Sequence, residues 1–405
     1  MPSSLPIRRA TVLALCLLSP SAPQAQSADL PSGNFLLWQP SHRPGGFSHM
    51  ETIFPTRRVK AGAHPYPLPK AAQEPAVRYT VDGHAMDTDG FMEANNVAGL
   101  LVIRDGRIMV ERYRLGLTAK GHWNSFSVAK SVTSTLVGAA VKDGSIKSLD
   151  DPITRYIPGL KGSAYEGVSM RDMLTMSSGV RWNENYEDPD SDEMKMKEID
   201  GGKGDGTVPY MAHLPRLAPP GAQFHYSTGD ADLIGIALAN ATGMSMADYL
   251  SKKIWAPFGM ERDAHWVTSG GRETGGGGLS VSLRDFGRFG LFFMQGGMAG
   301  GRKVLPEGWT QEAAAHHLQT PATWADVGYG YQWWVWKDGS YRAIGIFGQM
   351  IYIDPASKLV IVTLSAWPHA VGQPNHDAEA AYISAIHRAL QQGAARISRH
   401  RSLPR

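Results

Sequence analysis

The chain has 405 residues, of which 42% are hydrophobic and 19% are charged, a balance typical of a globular protein with a large core in one or two closely packed domains. The formal net charge is only +3, so the sequence offers no electrostatic case for binding nucleic acid. The single cysteine, Cys16, lies in the apolar N-terminal stretch, which leaves the rest of the chain without a disulfide or a cysteine-based zinc site.

The N-terminus has the three parts of a secretory signal peptide. Arg8 and Arg9 precede the apolar residues 10–18, and small residues follow within 21–28. The apolar stretch is too short to span a membrane, and no other segment approaches the length of a span. We therefore expect a signal peptide at 1–27 and a periplasmic or secreted mature protein.

Residues 28–75 are rich in proline, glycine and histidine and predict an extended N-terminal arm that lies over the body of the protein. After the arm, the apolar run 97–113 is interrupted at Asp105-Gly106, a dipeptide that favours a two-residue hairpin turn. Two paired strands are therefore expected on either side of this turn.

The segment Ser127-Val128-Ala129-Lys130 is the only Ser-x-x-Lys in the chain, and it opens an apolar stretch that closes at Gly144. Residues i and i+3 of a helix share a face, so Ser127 and Lys130 should be neighbours in its first turn. There the helix dipole and free backbone N–H groups stabilise developing negative charge. Burial would lower the pKa of Lys130 and let it accept the serine proton near neutral pH. The motif predicts a nucleophile and its base, although a helix start with a surface lysine would give the same four residues.

A second motif places Tyr226 in a loop directly before an apolar helix, where a phenolic oxygen can project into a cleft and shuttle protons. To serve near neutral pH, its pKa of about 10 would have to be lowered by a nearby ammonium, for which Lys130 is the natural candidate. A tyrosine that packs its ring and hydrogen-bonds the backbone is the alternative. The order and spacing of the two motifs favour the catalytic interpretation.

The middle of the chain is helical and rich in loops, and strands return toward its end. Helices are expected at 231–241, 283–294 and 378–391. Alternating apolar residues predict strands at 329–336, 341–347, 350–354 and 360–365. Because strands lie toward both ends of the chain, we expect an α+β fold. It would be an α/β sandwich whose antiparallel sheet comes from both chain ends, flanked by helices and interrupted by a helical insertion domain. Residues 394–405 predict a basic, solvated tail.

These motifs resemble those of the serine β-lactamase, penicillin-binding protein and esterase superfamily, particularly its class C-like branch and the 6-aminohexanoate-dimer (nylon-oligomer) hydrolases within it. The resemblance places the hydrolase domain at 76–393. It rests on the Ser-x-x-Lys motif and on the sequences at 174–179, 226–228, 254–260, 277–280, 284–285 and 345–355. It implies a β-lactamase/transpeptidase-like fold and an acyl-enzyme on Ser127. Lys130 would be the base, Tyr226 would pass a proton to the leaving group, and the backbone N–H groups of Ser127 and Ile344 would form the oxyanion hole.

The sequence departs from the superfamily pattern at two places. Thr228 stands where asparagine is usual, and gap-free alignment from Phe347-Gly348 puts 340–342 where a Lys-Thr-Gly or His-Thr-Gly motif is expected. That motif helps hold the antibiotic carboxylate in β-lactam-recognising members, so its loss argues against β-lactamase activity unless Arg342 substitutes as a cation. Both departures are shared by nylon-oligomer hydrolase and esterase members. The resemblance places Thr228, Phe347 and Gly348 next to the substrate.

The acidic loop 182–193 also resembles that branch, where a tyrosine on a mobile loop closes over the substrate and hydrogen-bonds the scissile amide. Tyr186 is the matching candidate. A disordered surface loop would show the same charge and the same glycine-rich run at 201–204.

The resemblance implies a small-molecule amide or ester substrate, such as short ω-amino acid oligomers, with neither cofactor nor metal. The alternatives are a D-amino-acid peptidase, a weak β-lactamase, and a penicillin-binding-type sensor that acylates without turnover. An α/β-hydrolase elbow at Ser227 would lack its first glycine and its preceding strand. The oligomeric state does not follow from the sequence.

Overall fold

The computed structural model describes residues 30–81, 83–200, 206–321 and 327–401, without the side chains of 199, 200 and 394–401. The predicted signal peptide and the glycine-rich run at 201–204 lie outside the described residues. Within the described part of the chain, no helix is long and apolar enough to cross a membrane.

Most strands lie toward the two ends of the described chain, and helices fill most of its middle. The strands are β1 (Thr56–Val59), β2 (Tyr79–Val81), β3 (His84–Met86), β4 (Val97–Arg104), β5 (Arg107–Tyr113), β6 (Trp123–Asn124), β7 (Ala264–Ser269), β8 (Arg272–Glu273), β9 (Leu279–Val281), β10 (Met298–Ala299), β11 (Arg302–Lys303), β12 (Leu318–Gln319), β13 (Val327–Tyr329), β14 (Trp334–Trp336), β15 (Tyr341–Gly345), β16 (Gln349–Asp354) and β17 (Leu359–Ser365). The helices are α1 (Arg43–Phe47), α2 (Met50–Ile53), α3 (Thr88–Ala94), α4 (Val128–Asp143), α5 (Ile153–Tyr156), α6 (Met170–Leu174), α7 (Asp192–Asp200), α8 (Thr207–His213), α9 (Thr228–Thr242), α10 (Met246–Leu250), α11 (Ala256–Phe258), α12 (Leu283–Met294), α13 (Trp309–Ala313) and α14 (Gln373–Arg401).

The largest sheet joins the two ends of the chain. Its strand order is β12-β13-β14-β15-β16-β17-β4-β5, and neighbouring strands are antiparallel. The hairpin β4–β5 thus pairs with β17 from the other end of the chain, which confirms the predicted sheet. The turn between β4 and β5 has positive φ at Asp105 and Gly106, 51° and 73°, as a two-residue type I′ turn requires. A smaller sheet, β1-β7-β9-β6 with β8 beside β7, leads into the residues before α4.

Helices cover both faces of the large sheet. In β4, Leu101 and Ile103 belong to the apolar cluster that contains α4 and α12, whereas Leu100 and Val102 belong to the cluster that contains α14. Because both faces are buried, β4 lacks the alternation of a half-exposed strand. The predicted α+β sandwich is confirmed.

Two C-terminal elements differ from the prediction. The expected strand 329–336 is two strands, β13 and β14, because the chain turns between them. Gly330 N donates to the carbonyl of Trp333 (2.9 Å), and Gln332, with φ of +63°, donates from its backbone to Leu174. The last helix begins at Gln373 and continues to Arg401, so it includes most of the segment predicted to be a solvated tail.

The N-terminal arm is more structured than the predicted extended segment. It contains α1, α2 and β1, and β1 pairs with β7. Buried Arg43 anchors it: Nη1 donates to the carbonyls of Trp367 (2.8 Å) and Pro368 (2.7 Å), and Nε donates to that of Trp38 (3.1 Å). The guanidinium also lies 4.5 Å from the centroid of the Phe347 ring. The arm is therefore fixed to the body beside the end of β17.

We expect Arg43→Met to lower the free energy of unfolding by about 3 kcal/mol, because three backbone carbonyls would lose their donor in a buried position. Urea denaturation followed by tryptophan fluorescence measures this change. Arg58→Met is the matched control, since Arg58 lies in the same arm with a side chain 57% exposed. An exposed ion pair contributes about 0–1 kcal/mol. Equal losses in the two variants would contradict the anchoring role of Arg43.

Candidate active site

Helix α4 begins directly after Ser127. This residue occupies the N-cap position, yet its hydroxyl makes no capping hydrogen bond with the helix. Phe126, before it, has φ of +42°, a conformation that costs a bulky residue energy and turns the chain into the helix. The helix is buried over most of its length and ends at Gly144, which has φ of 75°. The predicted helix start and end are confirmed.

The Lys130 side chain contacts the Ser127 hydroxyl, with 2.9 Å between Nζ and Oγ. The same nitrogen lies 2.9 Å from Thr228 Oγ1 and 2.8 Å from the carbonyl oxygen of Gly276. Lys130 is only 1% exposed. The structure therefore brings Ser127, Lys130 and Thr228 together, as predicted, and adds Gly276 to the group.

The directions of these hydrogen bonds allow one arrangement for an uncharged Lys130 amine. Thr228 donates its hydroxyl proton to Glu184 Oε1 (2.5 Å), so its oxygen accepts from Lys130. The Gly276 carbonyl can only accept. A neutral amine has two protons, which these two acceptors use, and its lone pair then faces Ser127. The site can thus hold Lys130 in the form that takes a proton from Ser127.

Glu184 links Lys130 to the 182–193 loop, and the sequence analysis did not identify it. Its carboxylate accepts from the Thr228 backbone N–H (2.9 Å), the Thr228 hydroxyl, the Tyr186 hydroxyl (2.8 Å) and the Trp182 indole N–H. Four donors fill the acceptor capacity of an ionised carboxylate. The sequence gives one hint of its role, its position two residues before Tyr186. Its contact with Thr228 could not be inferred from spacing, because the two residues are 44 positions apart in the chain.

Burial is the main influence on the charges in the site. Desolvation lowers the pKa of Lys130, while the carboxylates of Glu184, Glu193 and Asp232 oppose that shift. Desolvation also raises the pKa of Glu193 to about 8, although its ion pair with Lys197 (3.2 Å) acts in the opposite direction. Both shifts favour the uncharged form of a buried group.

Tyr226 lies beside Ser127 and Lys130. Lys130 Nζ is 5.0 Å from the centroid of its ring, and its hydroxyl interacts with Ser127. Desolvation and the charge of Glu184 raise the pKa of Tyr226 well above its usual value, and the hydrogen bond with Ser127 offsets this only in part. The prediction that the pKa of Tyr226 is lowered is wrong, because burial and the charge of Glu184 both raise it. Tyr226 stays a phenol that can donate a proton.

Strand β15 reaches Ser127 at Gly345. A Cβ on Gly345 would come within 2.6 Å of the Ser125 carbonyl oxygen and 3.0 Å of Ser127 N, so only glycine fits. Ile346, the next residue, lines the cavity, whereas Ile344 is not among the lining residues. Within the described part of the chain, the backbone N–H groups of Ser127 and Ile346 donate no hydrogen bond.

Phe347 and Gly348, predicted to contact the substrate, pack into the interior instead. The Phe347 side chain is 1% exposed and contacts Phe47 and Phe126. A Cβ on Gly348 would approach the Trp367 indole to 2.3 Å. Neither residue is among those that line the cavity. The turn between β15 and β16 has positive φ at both residues, which directs the Phe347 ring into the aromatic cluster.

Arg342 lies on the opposite face of the sheet from Ser127. Its guanidinium stacks over the rings of Trp336 and Tyr352, 3.9 Å and 5.3 Å from their centroids. Tyr352 belongs to the cluster beside α14, whereas Ala343, the next residue of the strand, belongs to the cluster beside α4. Neighbouring residues of a strand point to opposite faces, so the interpretation of Arg342 as a substrate-binding cation is wrong.

A cavity of about 910 Å³ opens at Ser127. Tyr186 and Thr228, both predicted to contact the substrate, line it. Its walls come from the arm, α7, the 267–278 segment and the end of β15, and include Phe35, Met50, Phe54, Phe126, Glu193, Lys197, Glu198, Val267 and Ile346. In the part of the chain that the structure describes, no group of three or more His, Cys, Asp or Glu could hold a metal ion.

The loop that carries Tyr186 is held over this cavity. Asn183 N donates to Asp192 Oδ2 (2.7 Å), and the Tyr210 hydroxyl donates to Asp192 Oδ1 (2.6 Å). The carbonyl of Trp182 pairs with the His225 ring (2.8 Å). The loop is therefore ordered over 182–193 rather than a loose surface segment, and its closing motion stays a prediction. Ser227 is the buried N-cap of α9, where it accepts from Asp230 N (3.0 Å), so it does not form a nucleophile elbow.

A family model described as Beta-lactamase matches residues 88–385. The chain belongs to the beta-lactamase family. It is a serine hydrolase of the superfamily that this family represents. It is 29% identical over 371 residues to the 6-aminohexanoate-dimer hydrolase of Paenarthrobacter ureafaciens, a match over 87% of this chain and 93% of that relative. A beta-lactamase of Pseudomonas fluorescens is 25% identical over 194 residues, 46% of this chain and 50% of that relative.

Solved structures of the beta-lactamase family show the same fold. A protein from Bacillus anthracis with the provisional name 6-aminohexanoate-dimer hydrolase superposes with a TM-score of 0.80 at 23% identity, over 92% of this chain and 99% of its own. A penicillin-binding protein from Bacillus halodurans superposes with a TM-score of 0.59 at 19% identity, over 73% of this chain and 99% of its own. The Bacillus anthracis structure covers 92% of this chain, which is more than residues 88–405 alone could supply. This superposition therefore includes part of the arm.

We expect Glu184→Gln to lower the pKa of Lys130, because the negative charge of Glu184 raises it. The acidic limb of the hydrolysis rate, measured against pH with an activated ester, should therefore move to lower pH. The rate on the plateau should fall, since glutamine has one acceptor oxygen instead of two and its NH2 group would face donors that Glu184 now accepts from. Glu187→Gln is the control, because Glu187 lies in the same loop with its side chain 79% exposed. A limb that stays in place or moves to higher pH would exclude this electrostatic link.

Proposed function

We propose that the chain is an exported hydrolase that cleaves linear amides or carboxylic esters through an acyl-enzyme on Ser127. The observation that carries this proposal is the contact of 2.9 Å between Ser127 Oγ and Lys130 Nζ, made by a lysine that is 1% exposed. A buried lysine with a lowered pKa has a larger neutral fraction near pH 7 than one in water. It can therefore act as the base for the serine hydroxyl.

In the proposed first step, the Ser127 oxygen attacks the substrate carbonyl as its proton passes to Lys130. The negative charge that develops on the carbonyl oxygen needs donors that are already in place. We assign this role to the backbone N–H groups of Ser127 and Ile346, which have no other acceptor within the described residues. Ile346 is favoured over the predicted Ile344 because it is the residue of the two that lines the cavity.

Loss of the leaving group then requires a proton, which we assign to Tyr226. Its raised pKa keeps the hydroxyl protonated, and its interaction with Ser127 places that proton beside the breaking bond. Lys130, now charged and 5.0 Å from the centroid of the Tyr226 ring, then returns the proton to the Tyr226 oxygen, so that both groups recover their starting forms. Water then attacks the acyl-enzyme and gives a proton to Lys130. The Ser127 oxygen takes this proton back as it leaves, which restores the free enzyme.

The cavity supports a linear substrate with an apolar middle. Its lining is largely apolar near Ser127, and Glu193 contributes a buried Oε2 without a hydrogen-bond partner among the described residues. An ammonium at the end of a chain would favour the carboxylate form of Glu193 and could donate to this oxygen. Short ω-amino acid oligomers have this pattern, in keeping with the name of the Paenarthrobacter relative. Arg342, the basic residue of the 340–342 segment that aligns with the Lys-Thr-Gly motif, lies on the opposite face of the sheet from Ser127, which argues against a β-lactam substrate.

Export is proposed from the sequence of residues 1–27, which carry the charge, apolar stretch and small residues of a signal peptide. The division into an arm at 28–75 and a hydrolase domain at 76–393 is part of the same proposal. N-terminal sequencing of the secreted product would identify the cleavage position.

A fluorophosphonate probe should label Ser127 in the purified protein, and peptide mapping by mass spectrometry should find the label there. Ser127→Ala should abolish labelling and lower hydrolysis by about 10³-fold or more, since the nucleophile is lost. Ser227→Ala is the control; it removes a helix cap at a cost of about 1 kcal/mol and should keep the label. A label on Ser227, or full activity in Ser127→Ala, would refute the assignment.

A substrate panel with the unlabelled wild-type enzyme then decides the substrate class. It should contain the linear 6-aminohexanoate dimer, p-nitrophenyl esters, a D-alanyl peptide and a β-lactam. We expect repeated turnover of the amide or the esters. Turnover of only the D-alanyl peptide or the β-lactam would replace the proposed substrate. A single equivalent of acylation without turnover would indicate a sensor instead of an enzyme.

Gly345→Ala tests the proposed oxyanion hole. The added Cβ would push β15 away from Ser127 N, and loss of one such donor lowers kcat by about 10²–10³-fold. Gly90→Ala is the control, because its Cβ would have no neighbour nearer than 3.5 Å. Steady-state kinetics on an activated ester measures both variants. An unchanged kcat in Gly345→Ala would place the oxyanion hole elsewhere.

A further inference from the structure

The N-terminal arm forms one wall of the catalytic cavity. The family model begins at residue 88, so this wall lies outside the part of the chain that it matches. The arm residues that line the cavity are Gly33, Asn34, Phe35, Met50, Phe54 and Pro55. The arm is therefore part of the space in which a substrate must lie, and its side chains there are mainly apolar.

Phe35 is an arm residue that both lines the cavity and contacts the residue before the nucleophile. It begins a short 3₁₀ turn, Phe35–Leu37, which Asn34 caps by accepting from Leu36 N (3.0 Å). Its ring meets the ring of Phe126 edge to face, with centroids 5.3 Å apart. Phe126 is the residue directly before Ser127. The Phe35 ring is partly buried, and one part of it faces the cavity.

The arm also meets the segment that follows the Tyr186 loop. Asn34 Nδ2 lies 3.5 Å from Met194 Sδ, and Lys197 Nζ lies 5.8 Å from the centroid of the Phe35 ring. Met194 and Lys197 both belong to α7. The arm and α7 therefore come together beside the cavity, which residues of both line.

This wall is held in a fixed position by contacts elsewhere in the arm. The Pro55 carbonyl accepts from Thr268 N (2.9 Å), and Glu51 Oε1 pairs with the His122 ring (3.0 Å). The indole of Trp38 stacks against Phe54, 6.1 Å between centroids. Together with the buried Arg43, these contacts preorganise the wall before a substrate arrives.

We propose that Phe35 is a specificity-determining residue that selects substrates with an unbranched aliphatic chain next to the scissile carbonyl. The proposal rests on the proposed function of Ser127. The flat ring on one side and the apolar side chains of Val267 and Ile346 among the other walls offer surfaces against which a row of methylene groups can pack, whereas a branch at the carbon next to the carbonyl would hold the chain away from the ring. The catalytic domain would carry out the reaction, and the arm would determine which acyl chains the cavity accepts.

The experiment compares the full-length wild type with Phe35→Ala, Phe35→Leu and Leu37→Ala on p-nitrophenyl acetate, hexanoate, octanoate and the branched pivalate. Leu37 is the matched control, because it lies in the same turn, is 67% exposed and is not among the residues that line the cavity. Phe35→Ala should raise KM for the octanoate ester about tenfold, the effect of a lost apolar contact in a pocket. Of the linear esters, acetate should change least, because its chain is the shortest, and the rate on pivalate relative to octanoate should rise. Phe35→Leu should recover most of the preference for the linear chain.

Equal chain-length profiles for Phe35→Ala and Leu37→Ala would overturn the inference, and so would a loss of rate that is the same for every ester. A binding measurement separates this outcome from a failure of the proposed function. In a Ser127→Ala background, calorimetry with the linear 6-aminohexanoate dimer should show binding that Phe35→Ala weakens and Leu37→Ala does not. That result would support the inference even without turnover. If the dimer does not bind, or binds equally to both variants, the inference is refuted, even if the fluorophosphonate probe labels Ser127 in the wild type.

Discussion

Burying a lysine side chain is costly unless its nitrogen finds partners, and the site depends on how this cost is met at Lys130. Helix α4 carries Lys130 through the interior of the protein, where desolvation lowers its pKa. Ser127, Thr228 and the carbonyl of Gly276 together satisfy its nitrogen. These partners come from three separate segments, the start of α4, the start of α9 and the glycine-rich turn before β9. The helices and the turn must therefore all be in place before the lysine can act on the serine.

Glu184 influences the pKa of both groups that exchange protons with Ser127. Its carboxylate holds the hydroxyls of Thr228 and Tyr186, and its charge raises the pKa of Lys130 against the effect of burial. The same charge raises the pKa of Tyr226 and so preserves a phenol beside Ser127. Burial is what keeps the base and the acid apart in pKa, because it lowers the pKa of Lys130 and raises that of Tyr226.

The large sheet and the arm explain why the cavity has its shape. Strand β15 ends at Gly345, where the absence of a side chain lets the backbone approach Ser127, and the following turn buries Phe347. The arm is fixed to the same region by Arg43, whose guanidinium lies over Phe347. The cavity is therefore closed by a segment from the N-terminal end of the described chain and a strand from its C-terminal part. Both are held by one aromatic cluster around Phe47 and Phe126.

The sequence alone was sufficient for the Ser-x-x-Lys pair, the hairpin at Asp105-Gly106, the α+β class and the position of Tyr226, because each depends on helical spacing, turn chemistry or local order along the chain. The tertiary structure decided the rest. Glu184 could not be found from spacing, since its partner Thr228 is distant in the chain. Arg342 and Phe347 were misplaced because one residue of register, or one tight turn, moves a side chain to the other side of a strand. The direction of the Tyr226 pKa shift and the arm's place in the cavity wall were also out of reach, because burial is a property of the packed molecule and not of any local sequence.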